Sequence, residues 1–252
     1  MAYELKEKDG FKYIDEGSGE AIVLLHGLFG ALSNWEGVVS HFSKTNRVLI
    51  PLLPIFEISM FNATVDGIVE HVVKFIKFTK LPQAHFVGNS LGGHVALIYT
   101  LKHPEKVKSL TLTASSGLFE NQMGGSFPKR GSYEYVRERV EYTFYDPQVA
   151  TKELVDEVFE ATTNVAKVMR VIALARSAQR HNMAKEIHAI SQPTCLIWGL
   201  NDAITPPEVA HDFNRLLPNS KLHFIDKCGH APMMEHPTVF NKYYDEFLES
   251  IS

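Results

Sequence analysis

The chain has 252 residues, 45% of them hydrophobic and 21% charged, enough for one large domain or one domain with an insertion. Its 25 Lys and Arg face 29 Asp and Glu, a net charge of −4, and the cations are scattered, so nucleic acid and anionic membranes are excluded as partners. Two cysteines, Cys195 and Cys228, exclude a disulfide framework and a four-cysteine zinc site. The first ten residues are polar and acidic, unlike a secretory signal, and the longest apolar stretch, 21–32, is short and broken by His26 and Gly27. A cytoplasmic protein without membrane insertion is expected.

In chain order, Asp9-Gly10 predicts a hairpin-type turn ahead of an apolar run from Phe11 to Ile14. Residues 21–25 are apolar without alternation, as in a strand buried on both faces, and residues 47–51 repeat the pattern. Helical spacing follows over 65–78, then a strand over 84–88, a helix over 91–101 closed by His103-Pro104, and a strand over 107–113. A strand over 194–198 ends at Gly199; a helix over 206–217 has proline at its start, a last strand covers 221–225, and a last helix 235–251. This alternation predicts an α/β fold with a doubly wound, mostly parallel sheet. Between Leu118 and about Ile190 no strand is expected. Gly124, Gly125, Ser126 and Pro128 mark a flexible lead-in to amphipathic helices over 133–145, 148–161 and 165–180. The expected organisation is a core of residues 1–117 and 191–252 with a helical cap, 118–190, inserted between two core strands and lying over the carboxyl edge of the sheet.

The sharpest motif is Gly88-Asn89-Ser90-Leu91-Gly92, a G-x-S-x-G between a predicted strand and a predicted helix. A turn that tight leaves no room for side chains at 88 and 92, holds the serine in strained dihedrals, and aims the helix amides at a developing oxyanion. His26-Gly27-Leu28-Phe29-Gly30 follows the strand over 21–25 and supplies the opposing amide. The expected donors are the Leu28 and Leu91 amides, with Phe29 as the alternative to Leu28; the His26 side chain is expected only to brace its loop. Phe29 and Asn89 are also candidate substrate contacts. A serine needs a base and the base an orienting acid. Of twelve histidines, His230 in Cys228-Gly229-His230 lies in a loop after the last strand, and Asp202 follows the strand before it. Ser90, Asp202, His230 is the order this constellation takes on an α/β sheet; Asp226 is the competing acid. No histidine spacing matches a zinc motif, and Gly17-Ser18-Gly19 lacks the third glycine of a dinucleotide loop, so no metal and no cofactor is expected.

At these residues the chain resembles the α/β-hydrolase superfamily from about Phe11 to its end. Asn34-Trp35, His103-Pro104-Glu105 and Glu235-His236-Pro237 add to the resemblance. It implies a doubly wound core, a helical cap and hydrolysis through an acyl-enzyme without a cofactor. Serine at position 90 is unlike the dehalogenase and epoxide hydrolase branches, which carry aspartate there. Within the superfamily, Gly88-Asn89-Ser90, Ser115-Ser116-Gly117-Leu118 and the stretch Leu222 to His230 are similar to meta-cleavage product hydrolases, which split carbon–carbon bonds. Two departures stand against that subfamily. Ala231 replaces its tryptophan, and Val158 or a neighbour stands where its lid arginine is expected, with Arg170, Arg176 and Arg180 out of register. In residues 51–57, Leu52, Ile55 and Glu57 replace an acid and two glycines often found in the superfamily; the run from Ile55 to Phe61 either walls the site or packs the core. The expected activity is hydrolysis of a small carboxylic ester or similar acyl compound. Carbon–carbon hydrolysis, acyl transfer or perhydrolysis on the same triad, and ligand sensing without turnover are the alternatives. The oligomeric state is not legible.

Overall fold

The computed structural model describes residues 3–30, 32–121 and 132–251. The lead-in expected at 124–128 lies outside them. Eight strands form one sheet in the order β1-β2-β4-β3-β5-β6-β7-β8. They are β1 (Lys6–Lys8), β2 (Phe11–Gly17), β3 (Ala21–Leu25), β4 (Arg47–Pro51), β5 (Ala84–Asn89), β6 (Val107–Thr113), β7 (Thr194–Gly199) and β8 (Ser220–Ile225). β1 and β2 are antiparallel, joined at Asp9 and Gly10, whose φ of 50° and 81° suit the turn read there. From β4 to β8 every pairing is parallel.

The helices of the core are α1 (Glu36–Phe42), α2 (Val65–Thr79), α3 (Leu91–Lys102), and, after the insertion, α7 (Pro207–Leu216), α8 (Pro232–Glu235) and α9 (Pro237–Ser250). Between β6 and β7 the described residues hold α4 (Tyr133–Glu141), α5 (Lys152–Thr163) and α6 (Val165–Arg180) and no strand. The first of these stops four residues before the expected end. The second starts at Lys152, because Pro147 opens a separate short turn and Thr151 caps the helix, its side chain accepting from the Leu154 amide. The helix expected over 235–251 is α9, which starts two residues later: Glu235 ends the separate α8 and the chain breaks at His236, since Pro237 restricts the residue before it and sits in the first helical turn.

The unbroken apolar strands are explained by a core on each face of the sheet. In β3, Val23 and Leu25 join one cluster with α2 and α3, while Ile22 and Leu24 join the other with α1 and α9. β7 divides likewise, Leu196 and Trp198 against Cys195 and Ile197. α3 is buried from Leu91 to Thr100, which is why it carries no polar stripe. The run from Ile55 to Phe61 is not in the cavity lining: Ile55 is in the core and Phe56 and Ile58 lean on it, while Met60 and Phe61 are exposed.

Chain order places β4 on one side of β3 and β5 on the other. The loops leaving β3 and β5 therefore part in opposite directions, and the crevice between them is where a sheet of this kind receives a ligand. His26–Gly30 and Ser90 lie at that crevice.

Candidate active site

Ser90 has φ 53° and ψ −120°, a conformation L-residues rarely adopt. Its amide donates to the Thr113 carbonyl at 3.2 Å, and its own carbonyl accepts from the Ser116 amide at 3.1 Å. The flanking glycines are needed for the reason read from the sequence. A Cβ on Gly88 would stand 2.5 Å from the Gly92 carbonyl oxygen, and one on Gly92 would overlap the Leu25 carbonyl. Ser90 is left half-buried at the start of α3 and faces a cavity.

His230 and Asp202 reach the same edge from the loops after β8 and β7. The His230 ring Nδ1 lies 2.9 Å from one Asp202 oxygen and 3.1 Å from the other. A carboxylate only accepts, so Nδ1 carries the proton and Nε2 is left with its lone pair. Asp202 is 3% exposed, yet its charge is well served. It accepts from the Ile204 amide at 2.8 Å, the Thr205 amide at 2.9 Å and the Thr205 hydroxyl at 2.7 Å. Asp226, the competing acid, is exposed and has no part in this pairing. Thr205 is a supporting residue the sequence does not reveal: its own carbonyl is fixed by the Trp198 indole N–H at 2.8 Å.

Gly27 and Gly30 close a turn through the Gly30 amide and the Gly27 carbonyl, 3.0 Å apart, with Leu28 and Phe29 at its tip. Among the described residues the Leu28, Phe29 and Leu91 amides have no acceptor, and all three residues line the cavity. His26 braces this turn from beneath. Its Nδ1 donates to the Gly27 carbonyl at 2.9 Å, and its Nε2 accepts from the Leu53 amide at 3.0 Å. Burial pushes its pKa down to about 4, so the ring stays neutral. Asn89 ties the site together. Its amide nitrogen donates to the Thr113 and His230 carbonyls, both at 3.1 Å, which leaves no N–H for a substrate. The His230 loop is also pinned to the insertion. The His230 amide donates to the Thr143 carbonyl at 2.8 Å, and the Glu235 carboxylate accepts from the Gly229 and Tyr145 amides at 2.7 and 2.9 Å.

The cavity above these groups has a volume of about 460 Å3. Its upper wall is the insertion, through Val140, Leu154, Val158 and Val171. Two charged residues of α4 and α6 also reach it, Arg139 and Arg176. The sequence offered no arginine in register here. Arg139 lies well before Val158, where the resemblance places an arginine, and Arg170 is spent on the Ile58 carbonyl at 2.6 Å. The Arg139 guanidinium lies over the Tyr135 and Tyr142 rings, and its buried Nε has no hydrogen-bond partner. Glu120, also unforeseen, lines the cavity on the other side and accepts from the Ser116 hydroxyl at 2.8 Å.

The family model described as alpha/beta hydrolase fold matches residues 20–142 and 157–237. Among solved structures, an alpha/beta hydrolase enzyme, MGS-MChE2, from the metagenome of sediments of the Mar Chica lagoon, Morocco, is 42% identical with a TM-score of 0.81, covering 98% of both chains. Among curated proteins, the 2-hydroxy-6-oxo-2,4-heptadienoate hydrolase of Pseudomonas putida is 27% identical over 93% of this chain and 91% of that one. The monoacylglycerol lipase ABHD6 of Bos taurus is also 27% identical, over 93% of this chain and 77% of the relative.

Proposed function

Because the chain belongs to the alpha/beta hydrolase fold family, we propose that it is a serine hydrolase that cleaves a small carboxylic ester through an acyl-enzyme, with residues 118–190 as its cap. The observation that carries this reading is the buried His230–Asp202 pair at 2.9 Å, opening on the same cavity as the strained Ser90. Ser90 Oγ attacks the ester carbonyl while His230 Nε2 takes its proton. The carbonyl oxygen, now an anion, rests on the Leu28 and Leu91 amides. The tetrahedral adduct collapses, the carbon–oxygen bond to the alcohol breaks, and His230 returns the proton to the departing alkoxide. Water then enters, gives a proton to His230 and attacks the acyl carbon; the carboxylic acid leaves and Ser90 recovers its proton. Asp202 holds the imidazole in the tautomer each step needs and steadies the imidazolium. No metal or cofactor takes part in these steps.

A series of p-nitrophenyl esters of rising chain length tests this reading, with Ser90→Ala as control. Saturable turnover that the variant abolishes is the expected result, and no turnover of any ester refutes it. The unpaired Arg139 Nε favours a second reading, in which the substrate is an anion such as the dienoate named for the Pseudomonas putida relative. A ring-fission dienone assayed beside the esters separates the two. A dienone advantage of tenfold in kcat/KM, about 1.4 kcal/mol in transition-state binding, would favour carbon–carbon hydrolysis, and Arg139→Gln would then remove that advantage.

A further inference from the structure

Glu120 is a carboxyl that the proposed reaction does not use. Its main chain is locked to the loop of the acid: the Asn121 amide donates to the Ile204 carbonyl at 2.7 Å, and the Asn121 side chain donates to the Ala203 carbonyl at 2.9 Å. Its side chain is locked to the serine turn, since Ser116, whose hydroxyl it accepts at 2.8 Å, also binds the Ser90 carbonyl through its amide. The carboxyl is thus held rigidly between the two halves of the site and half-buried in the cavity wall. Burial raises its pKa, and the hydrogen bond from Ser116 partly offsets that rise.

One Glu120 oxygen is engaged by Ser116. Among the described residues no cation pairs with the carboxylate, and Oε1 has no partner. That oxygen is free to accept from a ligand in the cavity. The Asn121 bonds to Ala203 and Ile204 set Glu120 beside the loop of Asp202, the partner of His230; on the ester-hydrolase reading the ligand atoms on that side are those of the leaving alcohol, because His230 must return a proton to the alkoxide oxygen. The charge balance of the cavity selects the donor. Arg139 and Arg176 line the same space and have no ion-pair partner among the described residues, so an ammonium group would meet two like charges, whereas a neutral hydroxyl meets none.

We infer that Glu120 is a specificity-determining residue, a hydroxyl-accepting subsite for the alcohol half of the substrate, and that the preferred ester carries a free hydroxyl on its alcohol. The inference rests on the ester-hydrolase reading above. Comparing 2-hydroxyethyl butyrate with propyl butyrate tests it, because the two differ by a hydroxyl in place of a methyl. The quantity read is the ratio of their kcat/KM values. In Glu120→Leu that ratio should fall by about tenfold or more, the loss of one hydrogen bond to a charged acceptor. Glu120→Gln, which nearly preserves the shape and keeps a carbonyl acceptor, should fall between. Ser116→Ala, which frees the carboxylate to swing, should lower the ratio without changing Glu120 itself. An equal ratio in the natural protein and both Glu120 variants overturns the subsite. So does a natural enzyme that prefers butyrylcholine to 2-hydroxyethyl butyrate, which would make the site cationic in taste. Hydrolysis of neither ester by the natural protein overturns the ester-hydrolase reading itself, and this inference with it.

Discussion

Protonating His26 should unlatch the turn from Gly27 to Gly30, and the cost can be worked from its environment. The ring is 2% exposed and is a donor on one side and an acceptor on the other. A second proton would sit on Nε2 and face the Leu53 amide, donor against donor. The folded pKa of about 4 lies below the ordinary 6.5, so the unfolded chain binds the proton first. The stabilisation is therefore complete above about pH 7.5 and fades as pH falls through 6.5 toward 4. From these two values the loss is about 2 kcal/mol at pH 5 and about 3 kcal/mol at pH 4. His71, whose charge reaches His26, and His94, pushed down to about 3 by burial, titrate in the same direction. Comparison with His26→Gln isolates one ring from the others. Urea unfolding at pH 7.5 should show the variant about 1–3 kcal/mol less stable, for two weakened buried hydrogen bonds. By pH 4 that gap should shrink by about 3 kcal/mol, because only the natural protein still has a position 26 to protonate. A gap that stays constant over this range refutes the assignment of His26 as a neutral, donor–acceptor brace.

Three further outcomes are expected. Ser90→Ala should keep its circular dichroism and thermal midpoint yet lose activity on p-nitrophenyl esters by about 10⁴-fold or more. In Asp202→Asn, the Ile204 and Thr205 amides, both bonded to Oδ1, should claim the amide oxygen and leave its NH2 in the place of Oδ2, facing His230. That forces the ring proton onto Nε2, and kcat should fall by about 10⁴-fold with the fold intact. Glu235→Ala strips acceptors from the Gly229, Tyr145 and Asp146 amides; chemical denaturation should register a loss of about 1–3 kcal/mol, and ester hydrolysis should fall with it.

How much of this was legible depended on whether a role is set by backbone geometry or by what happens to pack nearby. Gly88 and Gly92 are demanded by a turn whose tightness is a local property, and Ser90 between them could be read at once. Asp202 and His230 were legible because parallel strands deliver their following loops to one edge, so strand order alone brought them near Ser90. β1 and α1 were not foreseen: Lys6–Lys8 is a polar edge pairing, and Glu36–Phe42 is too short to show periodicity. Thr205, Glu235, Glu120 and Arg139 were silent for a different reason. A threonine or a glutamate in a loop has the same local pattern whether it faces water or a buried carboxylate. Only the meeting of the insertion with loops from β6, β7 and β8 gives Thr205, Glu120 and Glu235 their partners and brings Arg139, which lies over Tyr135 and Tyr142 close by in sequence, to the cavity.

The same meeting explains how a strained serine is kept. A residue in the conformation of Ser90 costs about 1–3 kcal/mol and persists only where its surroundings over-determine it. Here its amide and carbonyl are bonded to Thr113 and Ser116, both from the end of β6 and the turn after it. Asn89 carries the constraint across to the His230 carbonyl, and the Ser116–Glu120–Asn121 chain carries it to the acid loop at Ile204. Both chains end on main chain, so the relative positions of Ser90, His230 and Asp202 are set by groups outside the proposed triad. The upper cavity wall has a different owner: it comes from α4, α5 and α6, joined to the His230 loop through Thr143 and Glu235. Residues on the cavity face of those helices can therefore change the shape of the cavity without disturbing the turn at Ser90. Glu120 is the exception, because one side chain both belongs to the bracing chain and faces the ligand. A change there should alter selectivity and the stiffness of the site together, which is why the conservative Glu120→Gln variant is the informative one.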